Sequence, residues 1–455
     1  MRQARGQPFF LFPYKMRASS LIGLTLEIYA AVLEDSRPAD FLIAKFFRNR
    51  KFLGSHDRKF IAETMYAMLR HKTRLERIAV ADIQKPSHGE IAGHLAQMVT
   101  YFATEPDVKL LPDFFDGVSD VAEIPRIKVE QWFQAAGSNH KDIQYASEAE
   151  RISAQHSYPQ WLVEKFIAQF GESETEALCR KMNEQATVTL RVNTLKATMD
   201  ECQHSLVQEN IETTQGEHSP TALILQKRMN VFSSHTFRNG FFEVQDEGSQ
   251  IVSLFCDPHP NWKVLDACAG AGGKTLHLAA LMQNRGEIFA LDQNQYQMDE
   301  VHKRLRRAGA QNVRVMLSDK FNEERNRFVN TMNVVLIDAP CSGTGTIRRN
   351  PIAKWRLTEE KIQHYTADQF TILDTYAPFV RVNGKLIYAT CSVLKEENDD
   401  VVSRFLVAHP NFSLAPVKTE KNPVSENLFD NGFLRLLPHK HNTDGFFAAA
   451  FIRNE

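Results

Sequence analysis

The sequence lacks the long hydrophobic run that a membrane-spanning helix needs. None of its 455 residues falls in an uninterrupted apolar stretch of about 18 residues, so no transmembrane helix is expected. The apolar patch near the start is interrupted by Pro13 and Lys15 and is too short for the core of a signal peptide. We therefore expect a cytoplasmic protein without membrane contact. Residues 1–15 are predicted to be either a tail or the result of a wrongly assigned start codon.

Cysteine is scarce and net charge is almost absent. The 6 cysteines show no C-x-x-C spacing, which argues against zinc ribbons and disulfide scaffolds, so we expect reduced thiols and no metal. The 54 basic and 55 acidic residues give a net charge of −1, and any nucleic acid must therefore be bound by local basic patches. A hydrophobic content of 43% excludes a largely disordered chain, and the length predicts about three domains.

Residues 1–150 are predicted to form a helical domain, because apolar residues recur there at helical spacing. Residues 1–77 contain 15 basic and 7 acidic side chains, whereas residues 78–150 contain 5 and 12. This asymmetry indicates a helical surface that faces a polyanion, although ordinary solvated helix faces give the same pattern. Residues 104–126 contain three prolines and are predicted to be a loop or linker.

The rest of the chain predicts two further domains. Residues 151–240 read helix–strand–helix–strand, which is typical of a small α+β module. In residues 241–455 short apolar strands alternate with helices, which predicts an α/β fold with a doubly wound, mostly parallel sheet. Ligands bind such sheets at the carboxyl ends of the strands. The predicted strands are Lys263–Asp266, Glu287–Asp292, Val313–Leu317, Val334–Asp338 and Gly384–Tyr388.

A glycine-rich turn follows the first of these strands. It is not a Walker A loop, because Cys268 stands where that motif needs glycine. Asp292 and Asp319 follow the next two strands, where carboxylates can bind ribose hydroxyls and an adenine amino group. Taken singly, these features are also explained by a tight turn and by helix N-caps. Together they predict a nucleoside pocket and favour S-adenosylmethionine over ATP. The turn consists of Cys268, Ala269, Gly270, Ala271, Gly272, Gly273 and Lys274.

Two cysteines, Cys341 and Cys391, stand just beyond the ends of the last two strands. Carbon 5 of cytosine reacts with a methyl donor only after a thiolate adds to carbon 6 and N3 is protonated. A thiol near Asp338, as the acid and hydrogen-bond partner at N3, therefore fits methylation of that carbon. A second thiol can assist expulsion of the first. A single cysteine is more commonly a small buried hydrophobe, and the spacing does not tell which thiol attacks.

At these motifs the chain resembles the Fmu/Sun family of S-adenosylmethionine-dependent RNA 5-methylcytosine methyltransferases. The resemblance is strongest over residues 242–395 and includes the strings Val244-Gln-Asp-Glu-Gly-Ser-Gln250 and Asp444-Gly-Phe-Phe447. It extends to a small RNA-recognition-like module at 151–240 and to a NusB-like helical domain within 1–150. The resemblance implies that Cys391 is the nucleophile and Cys341 serves product release. It also implies that residues 268–274, Asp292, Asp319 and Asp338 contact S-adenosylmethionine.

RNA is the expected partner, and a monomer is the expected state. Arg348 and Arg349 follow the first cysteine loop and are the preferred phosphate-binding candidates. The substrate is predicted to be small-subunit ribosomal RNA, with tRNA as the alternative. A further alternative is an RNA-binding assembly factor whose catalysis is dispensable. A second basic cluster, equally explained as a solvated helix face, consists of Lys303, Arg304, Arg306 and Arg307.

Overall fold

The computed structural model describes residues 16–82, 89–105, 107–138, 144–416 and 424–455. The chain divides into two compact units, one formed by Met1–Asn183 with Asn350–Arg356, the other by Glu184–Arg349 with Leu357–Glu455. The tail predicted at residues 1–15 lies outside the described part of the chain. Within the described ranges, none of the helices has the length and apolar composition of a membrane span.

The first unit is helical in its described part. Apolar residues at helical spacing bury one face of each helix, and Tyr29, Met65 and Leu69 in its core are 0% exposed. Its helices are α1 Ala18–Glu34, α2 Ala39–Arg48, α3 Ser55–Arg70, α4 Lys72–Asp82, α5 Gly89–Thr104, α6 Phe114–Ala122, α7 Arg126–Ser138, α8 Glu148–His156, α9 Gln160–Phe170, α10 Glu172–Asn183 and the short α17 Ala353–Arg356.

The prediction of a loop or linker at residues 104–126 is wrong over much of that segment. Helix α6 occupies Phe114–Ala122, and Phe114 and Val118 on it are 2% and 0% exposed in the core of the first unit. Pro112 and Pro125, two of the prolines that suggested a linker, fall outside α6, where they separate helices without preventing one, and the third lies outside the described residues. Proline content therefore marked the ends of the segment, whereas its aromatic and apolar residues determined its interior.

A small antiparallel sheet begins the second unit. Its strands are ordered β2-β3-β1-β4, and Leu190, Leu206 and Phe242 in its core are 0% exposed. The first helix predicted in the 151–240 module corresponds to α9 and α10 of the first unit, whereas the strands of the module lie in the second unit. The elements of this sheet are β1 Thr189–Val192, α11 Met199–Gln208, β2 Thr213–Gln215, β3 Ala222–Leu225, α12 His235–Arg238 and β4 Phe242–Val244.

The second unit continues with a large mixed sheet, which confirms the predicted α/β fold. The sheet is ordered β11-β12-β13-β9-β8-β5-β6-β7, and β10 pairs with β13. Its strands are β5 Lys263–Asp266, β6 Glu287–Asp292, β7 Val313–Leu317, β8 Met332–Asp338, β9 Val380–Thr390, β10 Phe412–Leu414, β11 Phe429–Asp430, β12 Phe433–Leu436 and β13 Phe446–Arg453. Its helices are α13 Glu247–Phe255, α14 Gly273–Leu281, α15 Gln295–Ala308, α16 Ser318–Glu323, α18 Glu359–Tyr376, α19 Asp399–Ala408 and α20 Pro438–His441.

Strands β5 to β9 of this sheet are parallel and contain the five predicted strands. The chain proceeds from β5 outward to β6 and β7, and then returns to the other side of β5 to form β8 and β9. The strand order therefore reverses between β5 and β8, and ligands of doubly wound sheets bind at such a point, beyond the carboxyl ends of the strands. The predicted site residues follow these ends.

Candidate active site

The glycine turn between β5 and α14 adopts a backbone that only glycine accepts readily. Gly270 and Gly272 have φ of +52° and +80°. A Cβ on Gly272 would lie 3.0 Å from the side chain of Val301, whereas a Cβ on Gly270 would meet nothing within 4 Å. The turn is thus packed against α15 on one side and open at Gly270. Together with the free N–H groups at the start of α14, this open side suits a ligand with an anionic group.

Asp292, at the end of β6, is tied to the turn. Its Oδ2 accepts a hydrogen bond from the Gly270 amide at 3.0 Å, and its Oδ1 accepts one from the Asn294 amide at 2.8 Å. A carboxylate has about four acceptor sites, so two remain for ribose hydroxyls. Asp319 lies in the first turn of α16, directly after β7, and is exposed. The chemistry of these groups fits the carboxylate, ribose and adenine of S-adenosylmethionine.

Lys274 and Asp338 form a close ion pair across the point where the strand order reverses. Lys274 Nζ donates to Asp338 Oδ2 at 2.6 Å, and their side chains are 8% and 29% exposed. Burial alone would lower the pKa of Lys274, but the negative charge of Asp338 and its hydrogen bond outweigh this effect, and the pKa of Lys274 is raised. The pair therefore joins the first turn of α14 to the end of β8.

The two predicted thiols lie together at the ends of β8 and β9. Cys341 Sγ and Cys391 Sγ are 3.4 Å apart, the separation of a thiol–sulfur hydrogen bond, and both residues are partly buried. Backbone bonds hold the two loops, since the Gly345 amide donates to the Cys391 carbonyl at 2.9 Å. The pKa of the Cys341 thiol lies well above its ordinary value because of its hydrogen bond to Cys391 and its burial.

Comparison with known proteins places this geometry in a family. Residues 253–452 match the model for "16S rRNA methyltransferase RsmB/F", and residues 158–232 match that for "Methyltr_RsmF/B-like, ferredoxin-like domain". The probable ribosomal RNA small subunit methyltransferase B of Synechocystis is 33% identical over 70% of this chain and 71% of its own length. The chain belongs to the RsmB/F family of rRNA methyltransferases. Like that family, it uses S-adenosylmethionine, as the nucleoside pocket predicted.

The similarity to RsmB/F-type proteins extends along nearly the whole chain. The probable ribosomal RNA small subunit methyltransferase B of Bacillus subtilis is 28% identical over 95% of this chain and 98% of its own length. The crystal structure of the protein PH0851 matches with a TM-score of 0.77 and 27% identity, covering 96% of this chain and 99% of that one. The predicted resemblance to the Fmu/Sun family is thereby confirmed.

Arg348 does not fit the prediction that it binds an RNA phosphate. It is 1% exposed, its Nε donates to Asp444 at 2.7 Å, and its guanidinium lies 3.7 Å from Asp246. Arg349 donates to the same two carboxylates, at 2.6 Å in the case of Asp246, and its side chain is 35% exposed. A phosphate would have to displace buried carboxylates from Arg348, whereas Arg349 keeps an accessible edge and remains a predicted contact of this RsmB/F protein.

The basic cluster on α15 is explained in part by an internal ion pair. Arg304 and Arg307 both donate to Glu243, at 3.0 Å and 2.6 Å, and Glu243 is 2% exposed. These two arginines therefore fasten α15 to strand β4 of the small sheet. Lys303 is exposed and pairs only with Glu300, three residues earlier on the same helix, among the ion pairs of the described residues.

Sequence reasoning missed Glu397, which contacts the residues that follow both thiols. Its carboxylate accepts hydrogen bonds from Ser342 and Ser392, each of which is the residue after a cysteine of the pair. Glu397 lies six residues beyond Cys391 and no known spacing marks it. The available signal was the repeated Cys-Ser dipeptide, because two hydroxyls placed identically beside two reactive groups suggest a shared acceptor.

Proposed function

We propose that this enzyme forms 5-methylcytosine in small-subunit ribosomal RNA, with Cys391 as the nucleophile. The observation that carries the proposal is the pair of thiols 3.4 Å apart at the ends of β8 and β9, with the Lys274–Asp338 ion pair at the end of β8. Two adjacent thiols are not needed for transfer to an amino or hydroxyl group. They suit a target carbon that must first be activated by addition and later released. The relatives in Synechocystis and Bacillus subtilis are named for small-subunit rRNA.

In the first step, Cys391 as a thiolate adds to carbon 6 of the cytosine. The C5–C6 π bond breaks, its electron pair moves toward carbon 5, and N3 gains a proton. The Asp338–Lys274 pair supplies the acid and hydrogen-bonding groups for this proton, because it combines an ammonium with a carboxylate that is 29% exposed at the sheet edge. Carbon 5 of this adduct is enamine-like and nucleophilic.

S-Adenosylmethionine, when bound, supplies the methyl group. In this chain the glycine turn at residues 268–274, Asp292 and Asp319 would hold it, and Asp338 borders it at the next strand. After carbon 5 has been methylated, its remaining proton passes to solvent, and the electron pair of that C–H bond forms the C5–C6 double bond as the C6–Cys391 bond breaks. N3 returns its added proton to the Asp338–Lys274 pair. Cys391 departs as thiolate with the electron pair of the C–S bond, and Cys341 lies beside it as the hydrogen-bond donor.

The geometry of the thiols fits these two roles. Cys341 and Cys391 are hydrogen-bonded to each other at 3.4 Å, so the thiol that keeps its proton can stabilise a neighbouring thiolate and the sulfur that is expelled. The choice of Cys391 as the attacking sulfur rests on the resemblance to the Fmu/Sun family.

The test is methyl transfer from labelled S-adenosylmethionine to separated small-subunit rRNA, large-subunit rRNA and tRNA. Wild-type enzyme should label cytosine carbon 5 in small-subunit rRNA. Cys391→Ala should lose the label without losing cofactor binding, and Cys341→Ala should accumulate a denaturant-resistant protein–RNA adduct. Cys202→Ala, in the buried core of the small sheet, is the matched control and should behave like wild type.

Each departure from this pattern has a definite meaning. Label on tRNA alone would keep the mechanism and overturn the substrate. Full turnover by Cys391→Ala would overturn the nucleophile assignment. No label on any RNA, with cofactor still bound and Cys391→Ala still supporting ribosome assembly, would favour the assembly-factor alternative over catalysis.

A further inference from the structure

A single buried carboxylate contacts both cysteine loops. Glu397 Oε2 accepts the hydroxyl of Ser342 at 2.5 Å and the hydroxyl of Ser392 at 2.5 Å, and its Oε1 accepts the Ser342 amide at 2.8 Å. Ser342 follows Cys341, and Ser392 follows Cys391. One side chain thus joins the two backbone segments that carry the sulfurs.

Glu397 is itself held firmly. It is 0% exposed in the short helical turn Lys395–Glu397 that precedes α19. Its carbonyl accepts the Tyr388 hydroxyl at 2.5 Å. Gln369 Nε2, from α18, donates to its Oε1 at 3.1 Å and to the Pro340 carbonyl at 3.0 Å. The carboxylate therefore cannot follow either loop if that loop moves.

Thr344 and Asn398 extend the same network around Ser392. The hydroxyls of Thr344 and Ser392 are 3.0 Å apart, and Asn398 Nδ2 donates to the Ser392 carbonyl at 3.0 Å. Thr344, Ser392 and Asn398 are each 1% exposed. A buried polar network whose members are mutually bonded is rigid, because loosening one member leaves others without partners in a medium of low dielectric.

We propose that Glu397 is a positioning residue that keeps the attacking and releasing thiols at their working separation. The proposal rests on the proposed function, since it assigns those roles to Cys391 and Cys341. Both sulfurs act on one cytosine, so the two loops must keep their relative position through addition and release. Without the carboxylate, the shared acceptor of Ser342 and Ser392 is lost. The Gly345–Cys391 backbone bond and the Thr344 hydroxyl still connect the loops, but the two sulfurs can shift relative to each other. A misplacement of about 1 Å can cost about 100-fold in rate.

The two contacts of Glu397 act on different steps. Ser342 donates to it through both its amide and its hydroxyl, and this contact holds the loop of Cys341. Ser392 donates through its hydroxyl, and this contact holds the loop of Cys391. Removing the Ser342 hydroxyl should therefore impair release, whereas removing the Ser392 hydroxyl should impair addition.

The first test measures the distance between the sulfurs without any RNA chemistry. Dibromobimane becomes fluorescent when both of its arms have alkylated neighbouring thiols. The wild type should be cross-linked readily and Cys341→Ala should not be. Glu397→Gln replaces the acceptor Oε2 by an amide nitrogen that cannot accept the two hydroxyls. We expect about tenfold slower cross-linking and about 100-fold lower kcat, with unchanged S-adenosylmethionine affinity. Glu396→Gln, the same change on the preceding half-exposed residue, should leave all three unchanged.

The second test separates the two contacts and keeps the proposal open to refutation if Glu397→Gln folds poorly. Ser342→Ala should accumulate the protein–RNA adduct, whereas Ser392→Ala should form less adduct than wild type. If Glu397 had a purely structural role, Ser342→Ala and Ser392→Ala would both lower the stability of the protein, but they would not change the amount of protein–RNA adduct in opposite directions. Equal adduct levels in the two serine variants, or wild-type cross-linking and kcat in Glu397→Gln, would overturn the proposal. Because cross-linking does not involve cytosine, a wrong nucleophile assignment would leave that readout intact.

Discussion

Replacing Lys274 by methionine should cost stability and activity together. The substitution keeps the length of the side chain but removes the ammonium that lies 2.6 Å from Asp338. At that distance and an effective dielectric constant of about 20, the Coulomb attraction is about 6 kcal/mol. Burial of the lysine opposes this attraction, and removing one partner of a fully buried pair costs about 3–5 kcal/mol.

The expected loss is smaller than for a fully buried pair, because the Asp338 side chain is 29% exposed and water can solvate it when the lysine is gone. We therefore expect about 2 kcal/mol of destabilisation, which for a unit of this size lowers the melting temperature by roughly 4–8 °C. Methyl transfer should fall by about 10²-fold or more, because the acid for N3 has lost its ammonium.

Differential scanning calorimetry and the labelled-methyl assay check the two parts of this prediction. Lys263→Met is the matched control, since its side chain is 51% exposed and its ammonium lies 4.0 Å from Glu287, and an exposed pair contributes about 1 kcal/mol or less. A Lys274→Met enzyme that melted and turned over like the Lys263→Met enzyme would refute the inference that the pair joins α14 to β8.

Two further substitutions test the sheet and the cysteine loop. Asp266 is fully buried, and burial raises its pKa to about 7. Between about pH 4 and pH 7 the folded protein therefore keeps a proton on Asp266 that the unfolded chain has released, and the free energy of unfolding falls as pH rises. Asp266→Asn should remove this slope of about 1.4 kcal/mol per pH unit, and a melting-temperature gap to wild type that did not change between pH 5 and 7 would contradict it. Gly345→Ala would place a Cβ 2.3 Å from the Gly445 carbonyl oxygen and should cost about 1–3 kcal/mol in denaturant unfolding. Gly23→Ala, in α1 with nothing within 4 Å, should be neutral or slightly stabilising.

Local patterns predicted most of the catalytic sheet. Helix α15, Gln295–Ala308, is one of the helices that the alternating pattern predicts between the strands, because its polar face and its cap at Gly309 are encoded within one segment. Strands β5, β6 and β7 also have their predicted bounds, since each is a short apolar run that ends at a turn signal or a charged residue. The grouping of the candidate catalytic and cofactor-binding residues at strand ends followed from the topology of parallel sheets.

Pairings between distant segments were not predictable from local patterns. Arg348 resembles a surface phosphate ligand in the sequence, but its carboxylate partner Asp444 is 96 residues away. The role of Glu397 was not predictable for the same reason, because its hydrogen-bond partner Ser342 is 55 residues away in the sequence. A charged side chain is solvated or paired according to what the complete fold brings beside it, and spacing along one segment does not contain that information.

The reversal of strand order between β5 and β8 separates two tasks on one sheet. The glycine turn and Asp292 lie with β5 and β6, on the side that would hold the methyl donor, whereas both thiols follow β8 and β9. Methyl transfer requires the two halves to be aligned to a fraction of an ångström. Lys274 lies on the side that would hold the methyl donor, and Asp338 lies on the side of the thiols. The contact between them therefore depends on that alignment. A variant without the lysine should therefore lose turnover even when its thiol pair is intact, because the acid for N3 has lost its ammonium and the two halves no longer share a charged contact.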